Sequence, residues 1–309
     1  MRALITGGAG FIGSHLAARL LREGATVRIL DNMSSGRQEN LDACPGAEFM
    51  RGDITSPDDA QKAAQGVEVV FHHAALVSVQ ESIKNPRRSF QVNSEGTANV
   101  LWAAREAGAK RFVLASSAAV YGDDPRLPKS ETMVPTPISP YGADKAAAEN
   151  YVTMAHRLWG LDTVVLRYFN VFGPRQDPNG DYAAVIPRFV SRLVAGTPPT
   201  VYGDGRQTRD FLFIDDLVAA NLAAATSSAA PGGTFNIARG RTVTLLELLN
   251  TLQVATGLVS KPVFEPPRDG DIVHSSADIT RARSVLGFES RTDLKTGLAT
   301  TADYFRNKK

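Results

Sequence analysis

Between residues 2 and 169, short runs rich in β-branched and aromatic residues alternate with stretches of helical periodicity. The runs are RALIT (2–6), TVRIL (26–30), AEFMR (47–51), EVVFH (68–72), RFVLAS (111–116) and DTVVLRYF (162–169). Phe11, Ile12, Leu16 and Leu20 recur at helical spacing after the first run, a long helix fits about 87–107, and another opens at Ser139. Strands joined through helices run parallel, and a parallel sheet must be covered on both faces. Right-handed crossovers then leave a doubly wound α/β fold as the natural topology.

After Asn170 the alternation changes. Loop, helix and short strand follow one another, with strands expected in FLFID and TFNIA (234–238) and helices at about 244–256 and 292–306. The strand and helix over 211–227 are expected to return to the main sheet. The expected organisation is a main unit of 1–168 completed by about 204–238. A smaller mixed α/β lobe is then built from 169–203 and 239–309.

Bulk properties remove several classes. With 34 basic and 32 acidic residues and a formal charge of +2, no like-charge run stands out. That leaves no electrostatic footprint for nucleic acid or an anionic membrane. A lone cysteine, Cys44, excludes an intrachain disulfide and a cysteine zinc site. No apolar stretch reaches membrane-spanning length, and the chain opens directly on an apolar strand without signal-peptide architecture. The expected address is the cytoplasm.

Directly after the first strand comes GGAGFIGS, with Gly7, Gly10 and Gly13 opening a helix. Such a turn lets backbone N–H groups approach a pyrophosphate, whose charge the helix N-terminus favours. Glycines alone are weak evidence, since any tight turn uses them. The second strand, however, ends in Asp31, eighteen residues beyond Gly13, where an acid would hydrogen-bond a ribose. A carboxylate there repels a 2′-phosphate, which favours NAD over NADP. Arg37 reads as part of a solvated loop. In GDI (52–54), Asp53 suits either an adenine amino group or a helix cap. Ala74 and Ala75 in HHAA are small enough for a cofactor to lie against the backbone. His72 and His73 lack the clustered acids or cysteines that a metal site needs.

SPYGADK (139–145) begins a helix, with Ser139 as N-cap and Pro140 at the first helical position. Tyr141 and Lys145, four residues apart, project from one helical face. On its own this spacing is equally a surface pair.

These segments, with SSAAVYG and RYFNVFGPRQ, closely resemble the extended short-chain dehydrogenase/reductase superfamily, and they stand in its order. YGDGRQTRDFLFIDD and RDGDIVHSSADITRARSVLGF look like its nucleotide-sugar 4-epimerase branch, most of all the UDP-N-acetylglucosamine 4-epimerases, with UDP-glucose 4-epimerases close behind. The resemblance implies a Rossmann domain binding NAD, a nucleotide-sugar lobe and a catalytic set of Ser117, Tyr141 and Lys145. Cofactor contacts would come from Gly7, Gly10, Phe11, Ile12, Gly13, Asp31 and Asn32. Asp53, Ile54, Ala74, Ala75, Asn93 and Lys145 would complete them. The UDP-sugar would meet Ser117, Asn170, Tyr182, Ala184, Val185, Arg209, Arg268 and Ser275. The helices at 87–107 and 140–159 would pair into a four-helix homodimer interface.

The chemistry implied is removal of a hydride from the sugar and its return to the other face, with a base for the 4-hydroxyl proton. A free tyrosine has a pKa of about 10, whereas a base at neutral pH wants one near 7. A lysine roughly 5 Å away supplies about 3 kcal/mol at an effective dielectric of 20. The nicotinamide cation and the helix N-terminus are expected to supply the rest. In this family a small residue seven positions past the lobe arginine goes with N-acetylated sugars; here it is Ser275, with Ala184 and Ala118 also small. A 4,6-dehydratase would need an Asp-Glu pair where this chain has SAAVYG. A decarboxylase, a glucuronate epimerase and a non-catalytic NAD sensor are the remaining readings.

Overall fold

The structure, a computed structural model, describes residues 1–179, 184–267 and 273–308. Six strands fall on the six apolar runs: β1 (Arg2–Thr6), β2 (Thr26–Asp31), β3 (Glu48–Arg51), β4 (Val69–His72), β5 (Arg111–Ser117) and β6 (Asp162–Tyr168). Downstream lie β7 (Asn170–Phe172), β8 (Thr200–Tyr202), β9 (Thr208–Phe213), β10 (Gly233–Ile237), β11 (Thr242–Thr244) and β12 (Val263–Glu265). Among the described residues, β10-β6-β5-β4-β1-β2-β3 form a seven-stranded sheet whose pairs are all parallel. This is the doubly wound α/β fold.

Alternation along the central strands explains why they are apolar throughout. Ala3 and Ile5 of β1 face one core, with Leu16 and Leu20 of the helix Phe11–Arg22. Leu4 faces the other, with Ala60, Ala63, Val100, Leu101 and Val152 from helices on the opposite side. β5 divides in the same way, Val113 and Ala115 against Phe112 and Leu114. Neighbouring side chains of a strand point to opposite faces, so a sheet covered twice needs both sets apolar.

Two expectations are corrected. The strand expected near 211–215 does not return to the main sheet. It is β9, which pairs with β7 and β11 in a separate three-stranded sheet, and the seventh main strand is β10, parallel to β6 from Gly233↔Val164 to Ile237↔Tyr168. The long helix is also interrupted. Helices Pro86–Phe90 and Gly96–Glu106 are joined by a wider, π-helical turn over Gln91–Glu95. Such a turn re-aims a side chain inside a helix. Here it brings Asn93 onto the backbone of Leu76, accepting from its N–H at 2.8 Å and donating to its carbonyl at 3.0 Å.

Candidate active site

The carboxyl ends of the main strands open into a cavity of about 800 Å³. It lies where the chain order reverses, between β1 and β4, the place an open α/β sheet offers a ligand. At its floor the helix Phe11–Arg22 begins without any side-chain cap, leaving first-turn N–H groups for a ligand. A Cβ on Gly13 would stand 2.4 Å from the Gly7 carbonyl oxygen, so only glycine allows the turn to close this tightly.

Asp31, buried at the end of β2, has its carboxylate fixed by the backbone. Oδ2 accepts from Ala9 N–H at 2.9 Å and Oδ1 from Met33 N–H at 2.8 Å. Asn32 Nδ2 donates to Asp53 Oδ2 at 2.9 Å. Asp53 is not a helix cap: its other oxygen takes the N–H and hydroxyl of Thr55, and Ser56 caps the following helix. Gly7, Gly10, Phe11, Ile12, Ile54, Ala74 and Ala75 line the same cavity.

At the other end stand Ser117, Tyr141 and Lys145. Ser139 caps the helix Pro140–Trp159 by accepting from Gly142 N–H at 3.2 Å. Gly142 has a second task. A Cβ there would be 2.6 Å from the Ala119 carbonyl oxygen, so its absence lets the helix start press against the turn that follows Ser117. Tyr141 N–H donates to Ser82 Oγ at 3.1 Å, and Lys145 Nζ to the Ala115 carbonyl at 2.9 Å. The helix start is thus held at three points on the ends of neighbouring elements.

Burial governs the charges. It lowers Lys145 from 10.5 to about 8, against the pull of the Glu149 and Asp144 carboxylates. Burial also pushes the Tyr141 phenol above its ordinary value, opposed by a hydrogen bond with Ser117. The expectation that lysine brings the phenol down therefore needs correcting for the chain alone: desolvation wins. His73 is lowered to about 4 by burial and is neutral at pH 7. Its Nε2 lies 3.1 Å from Tyr168 Oη, which donates to Asn221.

Beneath Lys145, Glu149 accepts from Ser116 Oγ at 2.5 Å and pairs with Arg167, whose Nε and Nη2 lie 2.9 and 2.7 Å from its two oxygens. Arg167 continues to Tyr121 Oη at 2.9 Å, and Tyr121 to Asn236 Oδ1 at 2.6 Å. All five side chains are buried. This chain ties β5, β6 and β10 to the helix that carries Tyr141.

Not every expected residue faces the cavity. Asn93 is spent on Leu76, and Asn170, Val185, Arg209 and Ser275 do not line it. Asn170 donates to the Asp210 carbonyl at 3.3 Å, Arg209 to that of Val273 at 3.1 Å, and Ser275 N–H to that of Thr208 at 3.1 Å. These three gather around β9, and Ala184 lies at the cavity wall. Tyr182 and Arg268 lie outside the described residues. The wall also contains Arg37, His73, Gln176 and Asp177, which sequence reasoning set aside or missed.

Over residues 3–238 the chain matches the NAD dependent epimerase/dehydratase family. It belongs to that family. Across its full length it is 43% identical to a UDP-glucose 4-epimerase of Mycolicibacterium smegmatis, covering 99% of that protein. It is similar to the structure of the Thermotoga maritima UDP-glucose 4-epimerase with UDP-glucose, at 39% identity, TM-score 0.95 and coverage of 100% and 99% of the two chains. It is equally similar in fold to a UDP-N-acetylglucosamine 4-epimerase of Methanobrevibacter ruminantium in complex with UDP-N-acetylmuramic acid, at 37% identity, TM-score 0.95 and the same coverage.

The cavity of this family member fits NAD on its own evidence. Besides the uncapped helix and the fixed Asp31, three cavity residues present buried polar atoms without a partner in the chain, Asn40 Oδ1, His73 Nδ1 and Gln176 Oε1. Orphaned buried polar groups are costly, and a polar ligand satisfies them.

Proposed function

We propose that this enzyme inverts carbon 4 of a UDP-hexose through a transient 4-keto sugar. One observation carries the reading: Ser117, Tyr141 and Lys145 converge on the end of a cavity whose other end fits a dinucleotide. When bound, NAD supplies a two-electron acceptor and donor for the sugar and a positive charge beside the phenol.

The side chains have distinct tasks. Tyr141 takes the proton of the 4-hydroxyl and returns it after the sugar has turned. Ser117 orients that hydroxyl, using the same oxygen that hydrogen-bonds the phenol. Lys145 holds positive charge near the phenol while the Ala115 carbonyl fixes its direction. The surrounding burial excludes water and strengthens each of these interactions.

The nucleotide has to stay anchored while the sugar turns. We assign this anchoring to Asn170, Val185 and Arg209 around the smaller sheets, a guanidinium being suited to phosphate oxygens. Ala118, Ala184 and Ser275 are small, which favours acceptance of an N-acetyl group, so the substrates are UDP-GlcNAc/UDP-GalNAc alongside UDP-Glc/UDP-Gal.

The deciding experiment supplies each UDP-sugar to the purified enzyme without added NAD and follows carbon 4 by NMR. Inversion is expected for both pairs; NAD retained on the protein with no turnover of any UDP-sugar would refute the reading. We further infer a homodimer, because Phe90, Trp102, Tyr151 and Leu158 leave 41–71% of their surface exposed on the helices 86–90, 96–106 and 140–159. Light scattering at twice the chain mass is the expected result.

A further inference from the structure

Arg37 is not a free loop residue. Its Nη2 lies 2.6 Å from Asp177 Oδ2, on a loop that arrives from β7, and both side chains line the cofactor cavity. Asp177 is delivered by a fixed segment. Asn179 N–H donates to its Oδ1 at 2.9 Å, His15 Nε2 lies 3.0 Å from the Pro174 carbonyl, and Arg175 Nη1 donates to Ser14 Oγ at 3.2 Å. Arg37's second acidic neighbour, Glu39, is 3.4 Å away and is shared with Lys308.

The composition around Asp31 is unexpected for a site that rejects phosphate. Backbone at Gly36 packs against the Asp31 carboxylate, and Ser34 and Ser35 line the same wall. Two hydroxyls and a guanidinium form the donor set that takes a phosphate monoester. In dinucleotide folds an arginine near the ribose accommodates a 2′-phosphate. Two negative charges stand against that outcome here, Asp31 and Asp177.

We propose that Asp177 is a second determinant of NAD over 2′-phosphorylated dinucleotides, holding Arg37 in an ion pair and adding a carboxylate to the wall that Asp31 begins. The inference rests on the reading of Asp31 as the ribose-binding acid. Removing Asp31 alone then weakens NAD without admitting NADP, because Arg37 stays engaged. Neutralising both acids releases Arg37 to a 2′-phosphate.

The test uses holoenzyme exchanged against excess NAD or NADP, passed through a desalting column and assayed by chromatography for the dinucleotide retained per folded chain. Asp31→Ser is expected to lower NAD retention about tenfold with no gain of NADP, the size of one charge-assisted contact. Asp31→Ser with Asp177→Asn is expected to raise NADP retention about tenfold over Asp31→Ser alone. Adding Arg37→Ala should abolish that gain. Equal NADP retention by the single and double variants, or a gain that survives Arg37→Ala, overturns the role of Asp177. Unchanged NAD retention in Asp31→Ser overturns the reading of Asp31 beneath it. Thermal melts of each variant confirm that the chains compared are folded.

Discussion

Lys145 Nζ lies 5.9 Å from the centroid of the Tyr141 ring, and both side chains are buried. Helical spacing puts them on one face, and the Ala115 carbonyl holds the ammonium there. Desolvation acts on the two in opposite senses, making the phenol harder to ionise and the lysine easier to neutralise. The protein by itself therefore keeps the base protonated, and a further positive charge has to enter the site to release it.

Tyr141→Phe should reduce epimerisation by roughly 10²–10⁴-fold, the usual contribution of a positioned base. NAD content, measured by absorbance after denaturation, should stay near the parent value. A variant that turns over at the parent rate removes Tyr141 from the chemistry.

The alkaline limb of the rate profile should follow Lys145. As pH rises through about 8 the ammonium loses its proton, and with it the charge that favours the phenolate. His72 at the end of β4 and His73 just beyond it face it, as do Tyr141, Asp144 and Glu149 from its own helix. Because Glu149 keeps the lysine charged, Glu149→Gln should move the limb to lower pH; an unmoved limb separates it from Lys145.

Acid should destabilise the fold through buried histidines. His15 and His73 have folded values of about 4 against 6.5 unfolded, so below pH 6.5 the unfolded chain binds protons that the folded one does not. Stability is then lost as pH falls from 6.5 to about 4 and changes little from these groups below that. Melting temperature should decline across this window, and His15→Gln should flatten the decline.

Removing one member of the Glu149–Arg167 pair strands a buried charge. Glu149→Ala should cost about 3–5 kcal/mol in urea unfolding. The double replacement Glu149→Leu with Arg167→Met should cost clearly less than Glu149→Ala. Equal losses would show that lost packing, not the stranded guanidinium, sets the cost.

Ser275→Tyr should suppress turnover of UDP-GlcNAc and UDP-GalNAc while leaving UDP-Glc and UDP-Gal within a few-fold, read by NMR as mixed-substrate competition. Equal loss of both pairs argues against Ser275 as the selector.

Five main strands, β1, β2, β4, β5 and β6, were legible because each is sandwiched, so its composition reports its burial. The sixth, β3, exposed at the sheet edge, was legible from its short run between turn signals. The seventh was not. FLFID and TFNIA are both short apolar runs flanked by polar residues, and what decides between them is the partner β6, which periodicity does not encode. The interruption at Gln91–Glu95 escaped for a related reason, since a single wider turn leaves the apolar spacing of the flanking helices intact. In the site, residues carried by local turns were readable: the glycines, Asp31, and the Tyr141–Lys145 spacing. Glu149 with Arg167 and Arg37 with Asp177 were not, because each is half of a pair closed only by the finished fold.

The late position of β10 matters while the chain is still being made. A ribosome that has released residues up to Tyr168 has produced six parallel strands with the β6 side of Val164–Tyr168 bare, and the strand that covers it arrives only with Gly233–Ile237. An uncovered apolar edge invites pairing with a neighbouring chain. Nascent fragments ending before Gly233 should therefore clump where the full-length chain does not, and their sedimentation would show it.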